Sequence, residues 1–316
     1  MRTLKQVETH SVYTKHRKRL ESRTDRPPLP YTPLHMRAPK KTSSKYRRAK
    51  MRQMVFTGGP NKISRGRIFK KHFDQRIKLK NIDVSTQLWP PEFDGLRIGH
   101  ISDFHLGDLM PIDRALAAVQ MLESQSPDIV VCTGDVIDLD VHGAEPLFEA
   151  MANIKSPLGT MLVLGNHDEL DCAVTVSSMA TDAGIILLRD TRCTINHCGS
   201  KLHIAGIDWA KSQKKCSAKV DRVCNEETHL LLSHNPKAFR AAAKHNVPLT
   251  LSGHTHGGQL AFPNKPGANL AVAHRHSNGV YDIEHSRLFV TAGVGAWFPL
   301  RINCPAEVAV LNVQSA

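Results

Sequence analysis

From Leu96 onward, short apolar runs recur along the chain, and most end in a cluster of polar and glycine residues. Leu96 to Ile101 reads as the first buried strand, ending at Asp103, and strand-like runs follow at 128–132, 160–164, 202–207, 229–232, 249–251 and 288–290. Between the early runs lie helical stripes. Ile112, Ala115, Leu116, Val119 and Leu122 keep an i, i+3, i+4, i+7 spacing after Pro111, and Leu147, Phe148, Met151 and Ile154 repeat it, so both segments predict amphipathic helices. Strand, helix, strand alternation predicts an α/β domain with crossover connections. Beyond Ile185 the apolar runs lie closer together with fewer helical stripes, which predicts an antiparallel or mixed sheet. No internal repeat of about 20–50 residues is visible.

The first seventy or so residues differ. They lack sustained apolar periodicity and carry proline clusters such as Pro27-Pro28-Leu29-Pro30 and basic runs such as Lys45 to Lys50. Low hydrophobicity with high charge predicts disorder. The domain reading is therefore a basic, disordered tail over 1–71 and one folded domain over 72–316, with a weak amphipathic anchor at Ile68–Phe73. The whole chain has 316 residues, 41% apolar and 22% charged, which is a globular balance, and no run approaches the ~20 apolar residues of a membrane span.

The net charge of +13 changes meaning once it is divided. Residues 1–80 carry +20 and residues 81–316 carry −7. A polybasic segment of this kind attracts anionic surfaces, so the tail is expected to hold the protein on an anionic membrane, on its cytoplasmic inner face. Seven cysteines, an odd number without a C-x-x-C pair, and no apolar secretory h-region fit free thiols in a reducing compartment.

The chemistry concentrates beyond the ends of the apolar runs, where an open α/β sheet presents its ligand sites. Five segments occur in order: Asp103-Phe104-His105, Gly134-Asp135, Gly165-Asn166-His167-Asp168, Ser233-His234, and Gly253-His254-Thr255-His256-Gly257-Gly258. In extended backbone, residues i and i+2 project to the same side, so Asp103 with His105, and His254 with His256, are expected to form two-pronged metal grips. Carboxylate, amide oxygen and imidazole without cysteine favour Mn²⁺, Fe²⁺ or Zn²⁺. Asp135, mid-order and without a neighbouring ligand, is the natural bridging carboxylate of a two-metal site.

This set of motifs resembles the calcineurin-like metallophosphoesterases over roughly residues 96–316. The resemblance implies an α/β fold, a four-layer α/β/β/α sandwich of two mixed sheets, and a metal-dependent phosphoric ester hydrolase. It further implies that Asp103, His105, Asp135 and His256 hold one divalent metal and that Asp135, Asn166, His234 and His254 hold the other, Mn²⁺ leading. His167 is then left to contact the leaving-group oxygen. Asp168 is expected either to orient His167 or to cap a helix, and Asp138 to support the site rather than ligate.

The segments Gly253–Leu260, Gly279–Tyr281, Thr291–Gly295 and Pro299–Arg301 resemble a bacterial phosphodiesterase branch that includes UDP-2,3-diacylglucosamine diphosphatases of lipid A synthesis. On that reading the substrate is a lipid-linked phosphodiester or pyrophosphate. Arg301 reads either as a phosphate clamp or as a surface salt bridge. Two other readings stand beside this one. A nucleic-acid-bound phosphodiesterase would use the tail as a phosphate-tracking arm, against which stand the 5% aromatic content and the acidic body. A non-catalytic scaffold would be expected to have lost ligands, and here every position is filled. Substrate specificity is expected from loops around 140–145, 209–225 and 262–280.

Overall fold

A computed structural model describes residues 43–170, 173–263 and 265–316. Among the described residues three helices come first: α1 (Ser44–Gln53), α2 (Gly59–Ile63) and α3 (Arg67–Phe73), with a π-helical turn at Met54–Gly58. The strands and helices then follow as β1 (Lys78–Ser85), β2 (Leu96–Ile101), α4 (Ile112–Glu123), β3 (Ile129–Cys132), α5 (Glu145–Ala152), β4 (Thr160–Leu162), α6 (Ala173–Ala183) and β5 (Ile186–Leu187). Next come β6 (Thr191–His197), β7 (Ser200–Ile207), α7 (Gln213–Val223), β8 (Leu230–Ser233), α8 (Phe239–Lys244) and β9 (Leu249–Ser252). The chain closes with β10 (Ala261–Phe262), β11 (Lys265–Asn269), β12 (Gly279–Ile283), β13 (Ser286–Val290) and β14 (Glu307–Gln314).

Among the described residues, two six-stranded mixed sheets face each other, ordered β1-β14-β2-β3-β4-β5 and β12-β13-β9-β8-β7-β6. The alternation along the strands explains why helices cover both outer faces. In β3, Ile129 and Val131 pack into the core between the sheets, while Val130 and Cys132 pack beneath α4, α5 and α6. In β8, Leu230 and Leu232 point inward and Leu231 packs under α7 and α8. Each such side chain contributes about 1.5–3 kcal/mol relative to exposure. The fold is the four-layer sandwich that the motifs imply.

Two expectations need correction. Residues 1–42 of the expected tail lie outside the described residues, but 44–71 are helical and packed rather than disordered. Ser43 caps α1 by accepting from the Tyr46 amide at 3.0 Å, and Tyr46, Ala49, Thr57 and His72 are buried. Gln53 donates to Asp138, His72 Nε2 lies 2.9 Å from the Leu109 carbonyl, and Phe56 meets Trp297 edge-on at 6.2 Å. A few well-spaced anchors dock these helices, too few to leave an apolar stripe in so basic a sequence.

The expected loop at 209–225 is mostly α7, which buries Cys216, Val220 and Val223 at i, i+4, i+7. Its lysines hid that stripe. The second half forms a mixed sheet, one of the two arrangements expected: β13, β9, β8 and β7 run parallel and antiparallel partners lie at the edges.

Candidate functional site

The five polar segments meet at one end of the sandwich because their loops are stitched together by main-chain hydrogen bonds. The Asp103 amide donates to Gly134 O at 2.9 Å, the His105 amide to Asp135 O at 3.0 Å, and the Gly253 amide to His234 O at 3.2 Å. Glycine is required where these loops touch. A Cβ on Gly165 would overlap the Asp135 carboxylate, and one on Gly293, at φ +71°, would lie 2.7 Å from Asp103 Cβ.

The backbone that aims the ligands is not extended. Asp103, His105, Asp135, His254 and His256 all have positive φ, between 49° and 72°. Left-handed backbone at a non-glycine residue costs on the order of 1–3 kcal/mol and gathers at functional sites. Asp103 and His105 therefore converge through tight turns rather than through the two-residue strand period. His254 and His256 do not form one grip. They divide between two groups, Asp103–His105–His256 and Asp135–His234–His254, whose ligand atoms lie within 4.8 Å of one another in each group.

Asp135 stands between the two, with Oδ2 3.1 Å from His234 Nε2 and 3.5 Å from His105 Nε2. Its Oδ1 accepts from the His167 amide at 2.7 Å. His234 Nδ1 lies 2.7 Å from the Thr133 carbonyl, which fixes that nitrogen as the donor and leaves Nε2 as the ligand nitrogen. Asp103 Oδ1 accepts from the His254 amide at 2.9 Å and lies 3.4 Å from His256 Nε2.

These residues fit two divalent cations. His105 Nε2 and His256 Nε2 are 2.9 Å apart, a separation of two ring nitrogens that a shared proton or a cation makes favourable. Asn166 Oδ1 is buried without a donor among the described residues. The charges agree. Burial pushes the Asp103 carboxyl up, burial holds His254 and His256 well below the ordinary histidine value, and neutral imidazole is the ligating form. Burial also opposes charge on Asp135, but His234 and His167 beside it win and hold its carboxyl well below the usual range.

His167 lies at the rim of the first group, its ring 4.5 Å from that of His105. Its Nδ1 is 3.0 Å from Asp138 Oδ1 and 2.9 Å from the Asp138 carbonyl. Burial opposes a charge there, yet Asp135 and Asp138 prevail and raise His167 to about 9. Asp138 is thus the partner that orients His167. Asp168 is not: its Oδ1 accepts from the Val136 and Ile137 amides and its Oδ2 from the Gly165 amide, so it braces the loops beneath the ligands. Burial and the neighbouring Asp135 raise it to about 6.

Arg301 is no phosphate clamp and no surface salt bridge. It is 6% exposed, and its guanidinium donates to the carbonyls of His256, Ala292, Gly295 and Cys304. It ties the His256 loop to the segment after β13. Three contacts carry no motif: Gln53 donates to Asp138 Oδ2 at 3.1 Å, and Trp209 and His274 flank His254 with ring centroids at 4.5 and 5.0 Å.

The family described as calcineurin-like phosphoesterase matches residues 96–258, more than half of the chain. The chain belongs to the calcineurin-like phosphoesterases. As a member of that family it is a metal-dependent phosphoester hydrolase, and the family implies divalent metal ions for the ligand groups above. This phosphoesterase is similar to the metallophosphoesterase YkuE of Bacillus subtilis, 28% identical over 246 residues that cover 76% of this chain and 86% of the relative. It is also similar to a Danio rerio transmembrane protein with metallophosphoesterase domain, 28% identical over 258 residues, 77% of this chain and 58% of that protein. Among solved structures it resembles an archaeal phosphodiesterase with a TM-score of 0.35 and 12% identity, over 63% of this chain and 84% of that one.

Proposed function

We propose that this phosphoesterase cleaves a phosphodiester or pyrophosphate bond in a lipid-linked substrate, with UDP-2,3-diacylglucosamine as the leading case, while held on an anionic membrane surface. The cleavage rests on one observation, the convergence of Asp135 with both ligand groups beside the His167–Asp138 pair. Asp103, His105, Asp135 and His256 would hold one divalent ion, and Asp135, Asn166, His234 and His254 the other, with Mn²⁺ favoured over Fe²⁺ or Zn²⁺. Such ions, when bound, neutralise phosphoryl oxygens and bring the pKa of water toward neutrality.

The chain's own residues do the rest. Asp138 holds the His167 ring with Nδ1 as its proton-bearing nitrogen, so Nε2 is the atom that faces a leaving-group oxygen. Both carboxylates near His167 favour its charged form, which lets it deliver a proton at neutral pH. The loops that carry Asp135, Asn166 and His256, braced by Asp168 and Arg301, keep these side chains in place against the strain of their backbone.

The lipid and membrane part draws support from the first three helices. Residues 44–73 hold ten Lys/Arg and no Asp/Glu, and Met51, Met54, Val55, Phe56 and Ile63 are more than half exposed among them. Basic residues beside exposed apolar side chains are the makings of an interfacial segment. No helix among the described residues is long and apolar enough to cross a membrane. The Danio rerio relative's name places that protein in a membrane.

A substrate panel with Mn²⁺ tests the reading: UDP-2,3-diacylglucosamine, cyclic nucleotides, glycerophosphodiesters and single-stranded DNA. The lipid-linked substrate should give the highest kcat/KM. A preference for DNA would move the function to the nucleic-acid class. Sedimentation with phosphatidylserine vesicles should retain the full chain at low salt and lose a Phe56→Asp variant.

A further inference from the structure

A cavity of about 550 Å³ opens beside the second ligand group, between α8, the segment 273–276 and the β12–β13 turn. We infer that it is a subsite for a second phosphate of the substrate, one that is not cleaved. The inference rests on the hydrolase reading above and adds to it where the rest of the substrate sits.

Four observations carry it. The cavity lining includes Lys237, Arg240, Lys244 and Arg275, against the two carboxylates Asp282 and Glu284. None of the four cations has an ion-pair partner among the described residues, whereas Arg189, Arg192 and Lys219 elsewhere on the surface are paired with Asp208, Glu226 and Asp190. Arg240 and Lys244 stand at i and i+4 on one short helix, where like charges repel, and a bound anion relieves that repulsion.

The cavity also borders the candidate metal site through His274. His274 lines it, and the His274 ring lies 5.0 Å from the ring of His254, a ligand of the second group. The Nδ1 of His274 is buried and unpartnered. Lys237 follows His234 by three residues, and its amide is held by Asn235 Oδ1 at 3.1 Å, so the loop that delivers a ligand to the metals also delivers a cation to the cavity. His276 is fixed by ring contacts with Tyr281 at 4.7 Å and Phe239 at 5.7 Å.

The volume suits a small-molecule group. Guanidinium and ammonium groups favour phosphate oxygens, and Asp282 and Glu284 are acceptors for hydroxyls. The chemical class is therefore a phosphorylated, hydroxyl-bearing group, such as a sugar phosphate or nucleotide, whose scissile phosphate lies at the metals while a second phosphate enters the cavity.

Inhibition of bis-p-nitrophenyl phosphate hydrolysis by the Mn²⁺-loaded full chain tests this. Fructose 1,6-bisphosphate should inhibit about tenfold more tightly than fructose 6-phosphate, the equivalent of one well-placed phosphate contact. In the double variant Arg240→Glu/Lys244→Glu that advantage should vanish, while turnover of bis-p-nitrophenyl phosphate and inhibition by fructose 6-phosphate stay unchanged. An equal advantage in variant and wild type, or none in the wild type, would overturn the subsite. Absence of any hydrolysis by the wild type would instead remove the hydrolase reading on which it rests.

Discussion

Asp138 Oδ1 lies 3.0 Å from His167 Nδ1, and the same carboxylate accepts a hydrogen bond from Gln53 at 3.1 Å through its other oxygen. His167, the proposed proton donor, is thus held by a residue outside both ligand groups, and that residue is held in turn by α1. Replacing an orienting carboxylate of this kind lowers activity by roughly 10–100-fold. Asp138→Asn should therefore reduce kcat by about that factor, with metal content by atomic emission unchanged. A loss of metal instead would make Asp138 a ligand.

Gln53→Ala should produce a smaller version of the same effect, a severalfold fall in kcat with little change in KM. Removing residues 1–42 leaves α1 in place and should spare turnover on a small soluble diester. Steady-state kinetics on the two proteins separates the packed helices from the preceding segment.

Arg301 predicts a stability phenotype. Arg301→Ala leaves buried carbonyls of Ala292, Gly295 and Cys304 without their donor, each at a cost of about 1–3 kcal/mol, while the His256 carbonyl keeps the Gln259 amide at 3.0 Å. Thermal unfolding should shift down by many degrees. If the variant instead melted like the wild type and showed only a raised KM, the side chain would be a substrate contact after all.

His100 predicts a pH dependence of stability. It is wholly buried, with Nε2 2.8 Å from Thr133 Oγ1, and burial lowers its pKa to about 3. The unfolded chain takes up this proton below its ordinary value of about 6.5 while the folded chain does not, so stability falls as pH drops from 6.5 toward 3. The loss from this group reaches about 2 kcal/mol at pH 5. His100→Gln keeps a partner for Thr133 and removes the titration. Urea titrations at pH 7 and pH 5 should show a smaller difference for the variant than for the wild type.

The site was legible in the sequence because its ligands lie in short motifs at strand ends, and strand ends can be read from apolar runs. The division of His254 and His256 between the two groups came from the family resemblance and not from the two-residue strand period, since positive φ at five of these positions depends on loops that touch only in the folded chain. The sequence points to Asp138 as a supporting residue, but its exchange of roles with Asp168 follows from which loop amides Asp168 meets. Gln53 carried no signal at all: its importance comes from a contact across 85 positions of sequence. Likewise β14 pairs in parallel with β1 and antiparallel with β2, a placement of the last strand inside the first sheet that no local pattern dictates.

Asp135 is the proposed bridging carboxylate, and its replacement is the most direct test. Wild-type protein should bind two equivalents of Mn²⁺ per chain and hydrolyse bis-p-nitrophenyl phosphate, while Asp135→Ala should lose metal from both groups and at least about 10²-fold in turnover. An Asp135→Ala protein that is folded, carries its full metal complement and turns over at the wild-type rate would contradict that role.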